Sequence, residues 1–399
     1  IEDLKEKGHL IKQDDIVHNV AVHERCGTPV EIVVKKQWFI DILSGKEKFL
    51  EAGDKINWYP KTMKGRYVNW VENLQWDWGI SRQRYFGVPF PVWYCKDCGE
   101  IIVANEEQLP VDPLQDKPSS VCKCGCSEFI PESDVMDTWA TSSMTPFINS
   151  NWVEKNNSLN KLIPMSLLPN AHDIIRTWDF YTIVKGLYHT GEIPWNNIMI
   201  SGHVMASKNE KISKRKENSK NEPSALIETY SSDVVRYWTA TASLGSDVVF
   251  TEEEFKNGRK LVNKLWNAAK FILMHLQDYN PSNQISLLPM DQWIIAKFNN
   301  MYKHFDDYLE KYEIGLAFNE LEKFFWNFCD NYIEIVKNRL YKPEIYGDDA
   351  RLSGQTASYL IMINMLKCFA IYFPHITEEI YQDFFKRFEK EISIHKLEL

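Results

Sequence analysis

The chain of 399 residues is long enough for two or three domains with buried cores. Its hydrophobic share of 44% and charged share of 25% are those of a globular protein, and no apolar run approaches the roughly 18 residues that a membrane-spanning helix needs. The formal net charge of −9 argues against general adhesion to nucleic acid, but it leaves room for a local basic groove.

The amino-terminal two thirds of the chain have the pattern of an α/β domain. Charged residues near the amino terminus alternate with β-prone pieces such as Val30–Val34. From about Ile40 to Leu226, short apolar runs alternate with helical patterns. The clearest unit predicts a helix from about Asp173 to His189, followed by a buried strand at Asn197–Ser201.

The last third of the chain has the pattern of a helical bundle. Thr251 and Glu254 have the spacing of a capping box at the start of a long helix. Residues with apolar side chains then recur at helical spacing, which predicts burial of one helix face: Phe255, Val262, Leu265, Ala269, Ile272 and Leu276. Further helices are predicted over Asp291–Lys311, Gly315–Leu340 and Ser353–Phe373. We therefore expect four or five long helices.

A basic segment follows the predicted strand. The stretch GHVMASKNEKISKRKENSK (Gly202–Lys220) has six basic side chains in its last thirteen residues and almost no apolar ones. A charge run of this kind is most often a solvated surface loop. Because this segment directly follows a predicted buried strand, its basic side chains could also have a functional role.

Five of the eight cysteines lie within 32 residues: Cys95, Cys98, Cys122, Cys124 and Cys126. This spacing is typical of a metal site in a reducing compartment, not of a disulfide framework. Four thiolates would close a tetrahedral structural zinc site with no open position. The sequence leaves open which two of the last three cysteines bind, and the alternative is a cluster of free thiols.

Four long motifs stand in order along the chain. They are WDWGISRQRYFGVPFPVWYC (Trp76–Cys95), DVMDTWATSS (Asp134–Ser143), AHDIIRTWDFYTIV (Ala171–Val184) and SGHV…KISKRK, which begins at Ser201. Together they resemble the valyl-tRNA synthetases, especially the archaeal-type branch of that family. The resemblance runs from about residue 18 to residue 385. Isoleucyl- and leucyl-tRNA synthetases share the overall plan, but DTWATSS and HDIIRTW are closer to the valine enzymes.

The resemblance implies the fold and its domains. We expect the second half of a class I Rossmann-like α/β catalytic domain with a small zinc knuckle, followed by an all-α anticodon-binding bundle. The implied domains are 1–36, the tail of an editing insertion with its return linker; 37–225, the half catalytic domain, with the knuckle at 92–132; 226–255, a connecting stem-contact segment; and 256–399, the bundle. The H-x-G-H signature of the other catalytic half is absent from the sequence. We therefore expect a fragment that also lacks most of the editing domain.

The resemblance identifies the basic segment as the KMSKS signature of this family, present here as KISKR. In that role Lys211, Ser213 and Lys214 would stabilise the charge that builds on the leaving phosphates of ATP. Lys214 is the main expected phosphate contact. Gly202 and His203 match the positions that line the adenosine.

Three residues depart from the family's usual signature. Ile212 stands where Met is usual, Arg215 where a small Ser is usual, and Glu217 where Gly is usual. The change at Glu217 matters most, because it removes a flexible residue and adds an anion near the expected phosphates. We still expect a working loop.

The resemblance also implies a valine pocket. Trp139 and Trp178 match its aromatic walls, and Asp173 matches the residue that would hold the ammonium group of the amino acid. Ile174 and Trp178 are four residues apart and hence on one helix face. An isolated Ile–Trp pair is usually part of a core, so only the motif match favours the pocket.

The expected function is that of a valine–tRNA ligase in part. We expect activation of valine with ATP and Mg²⁺, transfer to tRNA(Val), structural Zn²⁺, a cytoplasmic location and no membrane. The fragment should need the missing amino-terminal half of the enzyme and be inactive alone. The main alternative is a non-catalytic paralogue that binds tRNA or a protein partner, and a weaker one is an enzyme for isoleucine.

Overall fold

The computed structural model describes residues 1–23, 26–154, 161–207, 210–212, 222–280 and 285–398. Its strands are β1 (Phe39–Ile40), β2 (Asn57–Tyr59), β3 (Trp78–Gly79), β4 (Ser81–Arg82), β5 (Val92–Cys95), β6 (Ile101–Val103), β7 (Phe129–Pro131), β8 (Val135–Met136), β9 (Leu168–Ala171), β10 (Asn197–Ser201), β11 (Val204–Ser207), β12 (Glu210–Lys211) and β13 (Val248–Val249).

The α-helices are α1 (Glu2–Glu6), α2 (Lys46–Lys55), α3 (Lys64–Glu72), α4 (Thr138–Ser142), α5 (Thr145–Asn149), α6 (Phe180–His189), α7 (Pro223–Tyr230), α8 (Ser232–Ala240), α9 (Glu252–His275), α10 (Pro289–Leu309), α11 (Ile314–Asn327), α12 (Ile333–Tyr341), α13 (Pro343–Tyr346), α14 (Asp348–Ala370) and α15 (Pro374–Ile380). Short π-helical turns are found at Ile175–Asp179, Phe328–Tyr332 and Tyr381–Phe385. Turns of 3-10 helix are found at Lys61–Met63, Glu106–Gln108, His172–Ile174, Lys386–Phe388 and Ile394–Lys396.

The chain forms two compact units. Unit 1 comprises Ile1–Ile40 and Asp77–Asp137, and unit 2 comprises Asp41–Trp76 and Thr138–Leu399. The parallel sheet and the helical bundle therefore belong to one unit, and the strands between Asp77 and Asp137 belong to the other. The domain boundaries expected from the sequence, at residues 36, 225 and 255, stay predictions.

Unit 1 is built on small antiparallel sheets. Strand β5 is the centre of a three-stranded sheet in the order β6–β5–β7, and two-stranded ribbons pair β1 with β3 and β4 with β8. Trp93 on β5 is among the largest fully buried side chains. The β-prone piece Val30–Val34 forms no strand and its side chains are exposed, because neither alternation nor a partner strand gives it a buried face.

Unit 2 contains a parallel sheet of three strands in the order β2–β10–β9. The predicted strand Asn197–Ser201 is confirmed with the same bounds as β10, and its Ile198 and Ile200 are fully buried. Helix α6 covers the sheet with Phe180, whose ring meets that of Phe49 from α2 edge to face at 5.6 Å. Hydrophobic burial on a central strand fixes this part of the fold.

The predicted helix over Asp173–His189 occurs in three pieces. A 3-10 turn over His172–Ile174 is followed by the π turn Ile175–Asp179 and then by α6. Apolar periodicity predicts a helix but cannot separate one turn with i→i+5 bonding from a regular one. The structure thus confirms that this segment is helical, but only Phe180–His189 is a regular α-helix.

The helical bundle of unit 2 has a core rich in aromatic rings. The predicted apolar face of α9 is confirmed, since Phe255, Leu265, Ala269, Ile272 and Leu276 are buried, while Val262 is half-buried. The other predicted helices are found as α10, as α11 with α12, and as α14.

The predicted capping box is wrong. Thr251 does precede α9, but its side chain accepts no capping hydrogen bond. The three glutamates of the first turn place negative charge at the positive end of the helix dipole instead. Among the described residues, none of the helices combines the length and the apolar character that crossing a membrane requires.

Candidate active site and metal centre

The carboxyl ends of two parallel strands bring two of the motifs together. Strands β9 and β10 are neighbours, with Ala171 opposite Ser201. The residues that follow, His172–Asp173 and Gly202–His203, therefore leave the same edge of the sheet, where open α/β folds bind ligands. His203 Nε2 lies 3.7 Å from Asp173 Oδ2, and the rings of His172 and His203 are 4.5 Å apart.

The loop between α8 and β13 closes on this edge. A Cβ atom added at Gly202 would lie 1.9 Å from the carbonyl oxygen of Ser246 and 2.5 Å from the backbone nitrogen of Asp247. Only glycine can therefore stand at position 202, because the obstacle is backbone.

Asp247 binds both histidines through one oxygen. Its Oδ1 accepts a hydrogen bond of 2.7 Å from the backbone N–H of His203 and lies 2.9 Å from His172 Nε2. The pKa of Asp247 is lowered, first by the backbone N–H of His203 and then by His172. Neither His172 nor Asp247 was predicted from the sequence as a site residue. Two features of the sequence could have indicated them. His172 directly precedes Asp173, and Asp247 lies two residues after Gly245, in the turn before β13.

A cleft of about 530 Å³ opens beside Asp173. Five of its six lining residues have polar or charged side chains, and all six come from α3 and from the segment that follows β9: Arg66, Asn69, Trp70, His172, Asp173 and Arg176. Two guanidinium groups next to a carboxylate suit a ligand that carries both negative and positive charge.

The two tryptophans of the expected valine pocket lie on neighbouring short helical segments. Trp178, in the π turn, donates from Nε1 to the carbonyl oxygen of Ser142 at 3.2 Å, and Ser142 ends the helix that carries Trp139. Trp178 also stacks on Trp195 with ring centroids 5.7 Å apart. The cleft beside Asp173 is not lined by Trp139, Ile174 or Trp178. The structure thus joins the two tryptophan-bearing segments but leaves their role as pocket walls a prediction.

The start of the KISKR segment lies in a small sheet with the order β12–β11–β13. The backbone of Lys211 pairs with Met205, which is two residues beyond His203. The Lys211 side chain, Ser213 and Lys214 lie outside the described residues, as do Arg215 and Glu217.

The cysteine cluster in unit 1 has the geometry of a tetrathiolate site. The sulfur atoms of Cys95, Cys98, Cys122 and Cys124 all lie within 4.8 Å of one another. The Cys95–Cys124 and Cys98–Cys122 distances are 3.6 and 3.5 Å. Thiolates around a zinc ion at about 2.3 Å would stand about 3.8 Å apart, so the four sulfurs fit that ion closely.

Two local features support this arrangement. Gly99, with φ of +72°, closes the first turn, and its N–H donates to the carbonyl oxygen of Cys95. The backbone N–H groups of Cys98 and Asp97 lower the pKa of the Cys95 thiol to about 6, which favours a thiolate at that position, whereas the pKa of Cys98 is raised to about 12 and that of Cys124 is also raised. Cys126 lies outside the group of four, and its sulfur accepts a hydrogen bond from the backbone N–H of Glu128 at 3.3 Å.

Comparison with known proteins gives the class. The sequence profile of the tRNA synthetases class I (I, L, M and V) matches residues 8–251, and that of the anticodon-binding domain of tRNA ligase matches residues 291–399. The chain therefore belongs to the class I tRNA synthetases, and the expected α/β fold with a helical anticodon domain is confirmed.

Curated relatives are more specific. The chain is 46% identical to the valine--tRNA ligase of Rickettsia rickettsii (strain Sheila Smith) over 98% of its length. It is also 46% identical to that of Rickettsia prowazekii (strain Madrid E) over 96% of its length. These matches cover 50% and 49% of the relatives, so the chain spans about half their length.

Solved structures support the fold. A Mycobacterium tuberculosis methionyl-tRNA synthetase bound by methionyl-adenylate aligns with a TM-score of 0.69, at 16% identity, over 95% of this chain and 70% of that one. An Agrobacterium radiobacter K84 LeuRS–tRNA–LeuAMS complex aligns with a TM-score of 0.58, at 21% identity, over 77% of this chain and 40% of that one.

Proposed function

We propose that this chain is the part of a valine–tRNA ligase that holds the KISKR loop, the amino-acid pocket and the anticodon-binding bundle. The enzyme would activate valine with ATP to valyl-adenylate and transfer it to tRNA(Val). The observation that carries the proposal is the meeting of His172–Asp173 with Gly202–His203 at the carboxyl ends of adjacent parallel strands. The identity to valine--tRNA ligases over nearly the whole chain supports it.

Asp173 and its surroundings would hold the substrate. The carboxylate of Asp173 is exposed at the cleft, where it can bind the ammonium group of valine. Trp139, Ile174 and Trp178 would form the apolar walls, and a pocket of limited volume excludes larger side chains. Gly202 and His203 would line the adenosine of ATP, with the backbone at Gly202 held in place by the Ser246–Asp247 turn that packs against it.

The KISKR loop would act on the phosphates. When the carboxylate of valine attacks the α-phosphate, the bond to pyrophosphate breaks and negative charge grows on the leaving oxygens. Ammonium groups of Lys211 and Lys214 and the hydroxyl of Ser213 would stabilise that charge, together with Mg²⁺ bound to ATP. Positioned charge would supply most of the rate, because the protein forms no covalent bond in this step.

The helical bundle would bind the anticodon limb of tRNA. Anticodon bases are unstacked and are recognised by stacking on aromatic rings and by basic side chains. The bundle offers such a surface at Trp293, which is 40% exposed and has Lys297 Nζ 5.7 Å from its ring centroid.

The test of this function is pyrophosphate exchange. The protein at its native length should exchange pyrophosphate into ATP when valine is added, and at least about tenfold less efficiently with isoleucine. Asp173→Ala should raise the KM for valine by about tenfold or more, since a charge-assisted hydrogen bond is lost. Asp54→Ala is the control, because Asp54 is 68% exposed and forms a surface ion pair with Lys64.

Absence of valine-dependent exchange by the native-length protein would overturn the proposal. A preference for isoleucine would correct the substrate. The 399-residue chain alone should bind tRNA weakly and show no exchange, because the relatives have about twice its length. Exchange by this chain alone would show that it needs no further residues.

We also propose that Cys95, Cys98, Cys122 and Cys124 bind one structural Zn²⁺. The ion would have no open coordination position, so it would stabilise the knuckle and take no part in the reaction. Zinc content measured by a colorimetric chelator should be about one ion per chain. Cys124→Ser should lose it and Cys126→Ser should keep it, and the reverse result would move the fourth ligand to Cys126.

A further inference from the structure

We propose that Asp247 is a positioning residue of the nucleotide site. Its Oδ1 accepts hydrogen bonds from the backbone N–H of His203 and from the ring of His172. These two contacts fix the positions of both residues at the edge of the sheet where ATP is expected to bind. This inference rests on the proposed function for its kinetic readout, while its structural readout is independent of that function.

The hydrogen-bonding chemistry gives the contact a direction. A carboxylate can only accept hydrogen bonds, so His172 must donate from Nε2 to Asp247 Oδ1. This selects one tautomer of the neutral ring, with the proton on Nε2. The second contact, from the backbone N–H of His203 at 2.7 Å, fixes the main chain on which the His203 ring is carried.

The backbone on both sides of Asp247 is anchored to the same sheet. The N–H of Gly245 donates to the carbonyl oxygen of Ile200 at 2.8 Å, and the N–H of Val248 donates to that of His203 at 2.8 Å. Ser246 lies against Gly202 so closely that no side chain fits there. The carboxylate is therefore held at a fixed position, as a positioning group must be.

Because the carboxylate of Asp247 is partly exposed, its removal should affect the nucleotide site more than the free energy of unfolding. The side chain of Asp247 is 42% exposed, while those of His172 and His203 are 13% and 15% exposed. A hydrogen bond at such a surface contributes little to folding. Loss of the hydrogen bond between the His203 N–H and Asp247 should instead make the backbone at His203 more mobile and weaken the binding of ATP there. His203 is expected to line the adenosine, so the effect should be felt first by the nucleotide. It reaches the amino acid only through the longer contact of 3.7 Å between His203 and Asp173, and should be smaller there.

The experiment compares Asp247→Ala with Asp247→Asn in the native-length protein. Asp247→Ala should raise the KM for ATP in pyrophosphate exchange by about tenfold, which corresponds to ~1.4 kcal/mol. The KM for valine should stay within about twofold and the melting temperature within about 2 °C. Asp247→Asn keeps an acceptor oxygen and should restore the KM for ATP to within about threefold of the wild type. Asp54→Ala serves as the exposed control.

Three kinetic results would overturn the proposal. They are an unchanged KM for ATP in Asp247→Ala, equal increases of KM for ATP and valine with a large fall in melting temperature, and failure of Asp247→Asn to restore the KM. The second result would mean a structural role only.

Nitrogen-15 NMR of the imidazole rings in the 399-residue chain supplies the independent readout. The His172 ring, assigned with His172→Gln, should carry its proton on Nε2 in the wild type and lose that preference in Asp247→Ala. A proton on Nδ1 in the wild type would overturn the contact. If the native-length protein shows no valine-dependent exchange, the proposed function fails, and the tautomer of His172 still decides the positioning role.

Discussion

Two aspartates of unit 2 are fully buried and have opposite environments. Asp291, in the bundle, accepts hydrogen bonds from the two terminal guanidinium nitrogens of Arg339 and from the hydroxyls of Tyr332 and Ser353. Asp179 is the last residue of the π turn that follows Asp173, and its Oδ1 accepts a hydrogen bond of 2.5 Å from the amide of Asn170. Its Oδ2 has no hydrogen-bond partner among the described residues.

The different hydrogen-bond donors around Asp179 and Asp291 determine whether each carboxyl group is ionised. Burial raises the pKa of Asp179 to about 8, and the hydrogen bond from Asn170 only partly offsets it. Burial would raise the pKa of Asp291 too, but the bonds from Arg339, Ser353 and Tyr332 outweigh it and lower that pKa. Both side chains are shielded from solvent, but Asp179 is the more deeply buried and has fewer donors, so Asp291 is a carboxylate and Asp179 a neutral carboxylic acid at pH 7.

The bundle should respond most strongly to loss of the cation that pairs with Asp291. Arg339→Met keeps most of the apolar stem but leaves a buried carboxylate without its cation, with hydrogen bonds only from the hydroxyls of Tyr332 and Ser353 among the described residues. We expect the free energy of unfolding at pH 7 to fall by about 3–5 kcal/mol. Urea unfolding followed by helical circular dichroism is the measurement, since the long helices lie in unit 2.

The matched control is Lys337→Met on the same helix. Lys337 makes an exposed contact to Glu334 one turn away, so its loss should change the free energy of unfolding by less than about 0.5 kcal/mol. Similar losses in the two variants would mean that helix α12, and not the buried ion pair, determines the effect.

The Asp291–Arg339 pair also shows where sequence reasoning ends. Periodicity predicted α10 and α14 to within five residues at each end, and a short apolar run predicted the strand Asn197–Ser201. Neither could predict a partner 48 residues away, because such a pair is set by how helices pack and not by local pattern.

The candidate site shows the same limit. The motifs named Asp173, Gly202 and His203, and the strand register brings them together. They did not name Asp247, which is supplied by a turn 44 residues after His203. The pairing of the cysteines was open in the sequence for a like reason, since three candidates stand within five residues and only the turn geometry separates them.

Stability should depend on pH in opposite ways at the two aspartates. With its pKa raised to about 8, Asp179 stays protonated in the folded chain while the unfolded chain ionises above about pH 4. Its contribution to the free energy of unfolding therefore falls as pH rises, by ~1.4 kcal/mol per pH unit up to about pH 8. Asp179→Asn cannot ionise, so between pH 5 and 7 it should gain about 2–3 kcal/mol relative to the wild type.

Asp291→Asn provides the opposing comparison. Asp291 has a lowered pKa, so its contribution is present above the pKa of the unfolded chain and is lost as pH falls below about 4. The difference between Asp291→Asn and the wild type should thus stay constant from pH 5 to 7. Parallel slopes for the two variants over that range would contradict the assignment of a neutral acid at Asp179. Urea titrations at several pH values measure both.

Asp233 is an intermediate case, at the junction of α8 with the bundle. Its side chain is buried, but its partners are the backbone N–H groups of His375 and Ile376, at 3.4 and 2.6 Å, in the first turn of α15. One turn further along α8, Arg236 donates to the carbonyl oxygens of Ile371 and Tyr372 at the end of α14. An anion thus meets the start of one helix and a cation the end of another, as the helix dipoles favour.

Removal of this cap should cost less than removal of Arg339, because no ion is left stranded in the core. We expect Asp233→Ala to lower the free energy of unfolding by about 0.5–2 kcal/mol, and Asp233→Asn to recover most of the loss, since amide oxygen also caps helices. Glu228→Ala, at an exposed position of α7, is the control. A loss as large in Asp233→Asn as in Asp233→Ala would mean that the charge of Asp233, and not its acceptor oxygens, holds α15 against α8.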